Sequence, residues 1–411
     1  MTPFELSVRF LLQLAAIVAV CRIVSRVGMR FGQPPVVGEM IAGVLLGPSF
    51  LGHFWPSVQG ALFPPASRPI LFAGAQLGLV LYMFVVGLEF RVDLLRPRLR
   101  SAAAISASGI LLPFVLGGAI AGVLVRHAGF FPPDVPAHTA IPYLGACLAI
   151  TAFPMLARII FEKGLTGTTV GALALVAGAL DDAVAWAALA LVLAGLTHDP
   201  RIAWTAIAGG ALFIIILSTL VRPLLRRLAR WGAAGGPAER SATAWTLVLL
   251  LLAAWCTDAI RLYAVFGAFI LGAAFPRGAF AARLQSLIEP LTSILLLPLF
   301  FVYSGLNTRI DLVNTPALWL VVLAVLAAAI LGKGGACYAA ARFCGETHSD
   351  ALGIGILMNA RGLMGLIILN IGLEHGVITP ALFSILILMA VVTTLMAAPL
   401  FSRCCRPKIS V

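Results

Sequence analysis

The sequence predicts an all-α polytopic membrane protein of about thirteen transmembrane helices, and three observations predict it. Of its 411 residues, 61% are hydrophobic and only 11% charged, where a soluble domain carries about 25% charged residues. Apolar runs of about 20 residues, long enough to cross a bilayer as helix, recur along the whole chain. The formal net charge of +12 is sorted into alternate loops, as membrane topology demands; a nucleic-acid surface would gather it in one place.

Taken in order, the first span covers roughly residues 4–25. No small-residue cleavage site follows its apolar run, so it reads as a retained span and not a signal peptide. Spans at roughly 35–52, 69–89 and 102–125 follow across short loops. The fifth, roughly 139–160, holds Thr151-Ala152-Phe153-Pro154 at its centre. Pro154 has no N–H, so a carbonyl one turn earlier loses its partner. The sixth, roughly 168–196, carries Asp181 and Asp182 in mid-span. Spans at roughly 202–221, 242–258, 261–276 and 286–306 follow. The eleventh, roughly 315–341, contains Lys333; the twelfth, roughly 351–373, contains Asn359-Ala360-Arg361-Gly362; the thirteenth runs roughly 379–401. These runs are too long for barrel strands, which leaves helices as the way to satisfy the backbone in lipid.

Twenty basic residues fall in loops after odd-numbered spans, among them Arg91, Arg96, Arg98, Arg222, Arg226, Arg227, Arg230, Arg406 and Lys408. Five fall after even-numbered spans: Arg68, Arg126, Arg201, Arg261 and Arg309. The bias puts the N-terminus outside and the C-terminus in the cytoplasm. The seven cysteines include no CxxC pair and read as free thiols, mostly small hydrophobes inside spans.

The polar residues inside the spans carry the chemistry. A charge at the bilayer centre costs about 2.5–3.5 kcal/mol on the insertion scale, so two adjacent aspartates need a reason. They project about 100° apart and need not share a partner. Lys333 is too deep to snorkel to the surface, and an aspartate offsets the cost of burying it; Asp181 or Asp182 is the candidate. The fifth and twelfth spans are both interrupted by polar residues and helix breakers. Seven positions separate them, so they cross the membrane in opposite directions. Paired interruptions in two inverted halves point to a transporter's central site. Thr151 and the carbonyls freed there are hard oxygen ligands, suited to an alkali cation. Arg361 either neutralises exposed helix ends or repels cations from the wrong path.

Enzyme motifs fail. Ala183, Val184 and Ala185 after the aspartates break the DDxxD of membrane prenyltransferases, and Gly178-Ala179-Leu180-Asp181 is not the GxGD of intramembrane proteases. Gly332-Lys333-Gly334 lacks the spacing of a phosphate-binding loop. No enzyme activity, no cofactor and no nucleic-acid partner is expected.

Five segments together, QPPVVGEMIAGVLLGPSFLG, TAFPMLARII, LDDAVAW, LPLFFVYSGLNTRIDL and MNARGLMGLIILNIG, resemble the monovalent cation/proton antiporter superfamily, above all its cation/H+ exchanger branch. The resemblance covers roughly residues 5–402 and implies a sodium/proton antiporter-like fold of inverted repeats with two crossed broken helices. It implies one exchanger domain over 1–411. Core helices would lie at about 102–196 and 315–401, dimerisation-scaffold helices at about 4–89 and 242–306, and a linker helix at about 202–221. By motif, Asp182 matches the ion-binding and proton-carrying carboxylate, and Asp181 matches the acid that pairs with the lysine at Lys333. Thr151 matches the polar residue of the first break, with Phe153, Pro154, Asn359 and Arg361 supporting the broken helices. The implied activity is electrogenic exchange of Na+ or K+, held by Asp182, Asp181 and Thr151, for protons. The implied setting is a homodimer in the lipid bilayer of the inner membrane. A sodium-coupled organic solute symporter of the same broad fold is the alternative, though it would bind sodium through more neutral oxygens. Two departures stand out: Gly365 replaces a glutamate that many relatives carry, and no cytosolic regulatory domain is expected after the last span.

Overall fold

Two interruptions, each dividing a span into half-helices, organise the molecule around its polar residues. The computed structural model describes residues 2–31, 33–90, 99–165, 168–197, 200–260, 262–307, 313–361 and 364–405. Arg91, Arg96, Arg98, Arg261, Arg309, Gly362, Arg406 and Lys408 lie outside the described residues. Regular structure among the described residues is helical, apart from a single bridge between Ala128 and Phe131. Nine helices among them are long and apolar enough to cross a membrane, from Phe4–Arg30 to Pro380–Cys404. All seven cysteines are free.

The first interrupted span consists of Ala137–Ala149 and Phe153–Glu162, separated by extended backbone at Ile150 and Ala152. Pro154 lies in the first turn of the second half. At that position a missing N–H leaves no intrahelical bond unmade. The break therefore precedes the proline and begins at Ile150, one turn earlier and beside Thr151, and Pro154 starts the second half-helix. The second interrupted span consists of His348–Leu357 and Met364–Glu374. The two breaks touch: the Ala152 N–H donates to the Ala360 carbonyl at 3.2 Å.

Two uninterrupted helices flank the breaks. Thr169–Thr197 carries both aspartates. Residues 316–343 carry Lys333, which sits in a π-helical turn, Ile330–Gly335, between Pro316–Ala329 and Ala336–Phe343. Glycine permits this turn to lie against the second interrupted span. A Cβ at Gly334 would fall 2.3 Å from Asn359 Nδ2, and one at Gly355 would fall 2.6 Å from the Gly334 carbonyl. Small residues bring helix backbones close in this way where lipid supplies no hydrophobic drive between helices.

One boundary differs from the sequence expectation in kind. Arg222, Arg226, Arg227 and Arg230, expected in a loop, lie on helix Arg222–Ala233, which continues the seventh span through a π-helical turn at Leu217–Val221. Pro223 is tolerated because it falls in the first turn of the continuing segment. Ser218 and Thr219 turn their hydroxyls onto the Ile215 carbonyl at 3.0 and 2.7 Å. Leu225, Leu228 and Gly232 bury one face of the helix.

The chain divides into two compact units. One comprises Met1–Ala19, Gly60–Asp93 and Leu193–Tyr303; in it Gly87 and Gly272 let helices Arg68–Glu89 and Ala264–Ala274 meet backbone to backbone. The other comprises Val20–Gln59, Leu94–Val192 and Ser304–Val411, and holds every intramembrane charge singled out above.

Candidate ion-binding site

The site is built where the first break opens beside the aspartate helix. Breaking a helix exposes C-terminal carbonyls on one side and N–H groups on the other. Here both ends are used. The Lys333 ammonium donates to the carbonyl of Ala149, the last residue of the first half-helix. The Arg361 guanidinium donates to the neighbouring Leu148 carbonyl and, at 2.9 Å, to the Ala329 carbonyl just ahead of the π-helical turn. Two cations thus sit against the negative end of one half-helix dipole. The Arg361 contact sets its charge against an exposed helix end.

Asp181 is held from three sides. Ser106 Oγ donates to its Oδ1 at 2.6 Å; Thr151 Oγ1 and Lys333 Nζ each donate to its Oδ2 at 2.7 Å. The Lys333 and Asp181 side chains form an ion pair with no solvent exposure at all. Burying such a pair carries a desolvation penalty that good geometry and additional hydrogen bonds must offset. Three donors on one carboxylate, and a second acceptor on the ammonium, supply both.

Asp182 projects differently. The backbone N–H of Phe153, which opens the second half-helix, donates to its carboxylate. Its Oδ1 is buried with no hydrogen-bond partner among the described residues. A helix N-terminus with free N–H groups stabilises negative charge, and an acceptor oxygen without a donor is ready to bind a proton or a hard cation. Asn359 is similar in one respect. Its Nδ2 donates to the Gly355 carbonyl at 3.0 Å, while its buried Oδ1 accepts nothing among the described residues.

The residues singled out in the sequence therefore separate into groups. Asp181, Thr151 and Lys333 form one hydrogen-bonded cluster. Asp182 and Phe153 form an adjacent contact. Arg361 and Asn359 serve helix ends, and the Arg361 N–H is itself received by Thr394 Oγ1 at 3.1 Å. The side chain of Pro154 lies outside the described residues. Gly365 has open space where a side chain would begin, with no atom of the described residues within 4 Å beyond its chain neighbours and its own helix. Ser106 and Thr394 escaped the sequence reading. Ser106 is one of three serines in its span, with Ser101 and Ser108, and spacing alone does not tell which of them turns toward the aspartate helix.

Comparison with known proteins supplies the lineage. Residues 14–404 match the sodium/hydrogen exchanger transmembrane family. The chain is 37% identical over 397 residues to the Na(+)/H(+) antiporter NhaS4 of Synechocystis sp., covering 95% of each. It is 35% identical over 400 residues to Cation/H(+) antiporter 17 of Arabidopsis thaliana, covering 97% of this chain and 48% of that one, so it spans about half the length of that plant relative. Its fold is similar to that of the sodium proton antiporter MjNhaP1 from Methanocaldococcus jannaschii, with TM-score 0.68, 15% identity and 96% of both chains covered. This multi-pass membrane protein belongs to the sodium/hydrogen exchanger family, within the cation/proton antiporter superfamily.

Proposed function

We propose that the chain exchanges a monovalent cation, Na+ or K+, for protons across the inner membrane by alternating access, and that the exchange is electrogenic. The observation that carries this reading is the unequal state of the two aspartates. Asp181 accepts three hydrogen bonds, one from a lysine, while Asp182 keeps a buried oxygen without a donor among the described residues.

In the proton-loaded form, Asp182 carries a proton and Lys333 stays charged against Asp181, so the three groups sum to zero. In the cation-loaded form, Asp182, Asp181 and Thr151 surround the ion and Lys333 gives up its proton. The three groups and the ion then sum to one negative charge. The two loaded forms differ by one charge, so a full cycle moves charge, two protons against one cation. Competition for the same carboxylates makes the exchange obligatory without a separate coupling device. The core helices, about 102–196 and 315–401, expose the site to one side at a time. Phe153, Pro154, Asn359 and Arg361 maintain the breaks that make room for the ion. The N-terminus lies outside and the C-terminus in the cytoplasm, and the scaffold helices join two copies.

The test is cation-driven proton release in everted vesicles, followed with a pH-sensitive dye. Asp182→Asn abolishes it; normal release in that variant removes the mechanism. Lys333→Gln keeps residual exchange but flattens its dependence on voltage in supported-membrane recordings. An unaltered current in Lys333→Gln removes the electrogenic step alone.

A further inference from the structure

The helix Arg222–Ala233, in the unit that lacks Asp181 and Asp182, carries a row of charge that nothing among the described residues answers. Its sequence is RPLLRRLARWGA. Arg222, Arg226 and Arg230 recur every four residues, which places them along one stripe about 6 Å apart; Arg227 stands beside the row. All four are exposed, and none makes a hydrogen bond or ion pair among the described residues. Like charges at this spacing repel one another. No acidic residue occurs anywhere in Pro200–Ala233. Glu239, in the first turn of the following helix, is taken by Arg283 at 3.1 Å.

The rear of this helix is fixed. Leu225, Leu228 and Gly232 are buried, and the Phe280 ring lies so close to Gly232 that a Cβ there would meet it at 2.4 Å. The flank of the arginine row is apolar and open. Leu224 and Trp231, two turns apart and therefore on one face, are 43% and 44% exposed, and Leu220 just before them is 73% exposed. This apolar stripe continues the span Ile207–Ala233. A tryptophan level with arginines at the end of a span marks the layer where acyl chains give way to headgroups.

We propose that this helix is a binding surface for anionic phospholipid. The arginine row takes the headgroup phosphates, and Leu220, Leu224 and Trp231 lie along the acyl chains. Free phosphate would answer the charge and leave the apolar stripe bare; a lipid answers both. The ordinary reading of such residues is that they only orient the chain in the membrane. The two readings part on one point. Orientation counts lysine and arginine alike, whereas the planar guanidinium grips phosphate through two parallel hydrogen bonds and an ammonium does not. A second row of the same spacing, Arg22, Arg26 and Arg30, ends helix Pro3–Arg30. It lacks the fourth arginine and the tryptophan, and serves as the internal comparison.

The experiment measures the melting temperature of the full chain in detergent with phosphatidylglycerol, phosphatidylcholine or inorganic phosphate added. Phosphatidylglycerol is expected to raise it, the other two not, and the rise should shrink in high salt. The paired variant Arg226→Gln/Arg230→Gln is expected to lose the rise. Arg226→Lys/Arg230→Lys, which inserts with the same charge, is expected to lose at least half of it. Arg22→Gln/Arg26→Gln is expected to keep most of it. An undiminished rise in both paired variants of the helix would overturn the proposal. So would an equal loss in the Arg22/Arg26 variant, which would mean general attraction to a basic face. An equal rise with inorganic phosphate, or a rise traced by cross-linking to a second copy covering the helix, would also overturn it.

Discussion

The two broken helices solve the same problem in opposite ways. Each leaves carbonyls without partners where its first half ends. In the first break those of Leu148 and Ala149 are met by Arg361 and Lys333, cations brought from other helices. In the second the chain turns on itself. The N–H groups of Met358, Asn359 and Ala360 reach back to Ile354, Ile356 and Leu357 at 2.9, 3.2 and 3.0 Å, and the Asn359 amide closes on Gly355. One end is capped by charge and the other by local geometry. Asp181, Asp182, Lys333 and the Arg361 guanidinium are therefore gathered at the first break, and the second contributes the arginine to it. Changes to the groups that meet the first break, Arg361 included, should disturb the fold; changes confined to the local turn of the second should be mild.

The largest effect is expected from Lys333→Ala. Removing one member of a buried ion pair costs about 3–5 kcal/mol because the other charge is stranded. Chemical unfolding in micelles should show the loss, and Asp181→Asn in the same chain should recover part of it, the two changes being far from additive. Next comes Arg361→Ala, which strands the Leu148 carbonyl at about 1–3 kcal/mol and removes a second donor from the Ala329 carbonyl, which keeps its helical bond. Restoring a cation with Arg361→Lys should recover one carbonyl at most, since the two lie on different helices. Ser106→Ala removes one donor from a carboxylate, worth about 1.5–3 kcal/mol for a hydrogen bond to a charged group; Ser106→Thr, which keeps the hydroxyl, should retain exchange in the vesicle assay. The smallest loss is expected from Asn359→Ala, about 0.5–1.5 kcal/mol for a neutral hydrogen bond, with exchange reduced and not lost. An Asn359→Ala variant as unstable as Lys333→Ala would break the comparison between the two breaks.

Much of the architecture was legible in the chain because lipid leaves few choices: long apolar runs become helices, and basic loops alternate. The interruptions were legible because proline, glycine and charge stand out against such a background. Their detail was not. Pro154 marks where a half-helix resumes, a distinction that rests on which side of the proline the carbonyls turn. The choice between Asp181 and Asp182 as the neighbour of Lys333 lies in the rotation of one helix about its axis, about 100° per residue; the motif named it and periodicity did not. Ser106 was hidden for the same reason. The basic stretch after residue 221 was read as loop because charge outweighed period, although Leu225 and Leu228 already marked a buried helical face.

The π-helical turn at Ile330–Gly335 has a consequence for how this sequence tolerates change. Such a turn amounts to one residue inserted into a regular helix. Deleting a single residue within it would anneal the helix, leave the flanking segments helical, and swing Lys333 by about 100° relative to one of them. A chain with that deletion should still insert and fold as a helical bundle, yet present a different residue to Asp181. Gain or loss of one codon here is thus a short evolutionary path between a lysine-paired exchanger and one whose aspartate answers to another group.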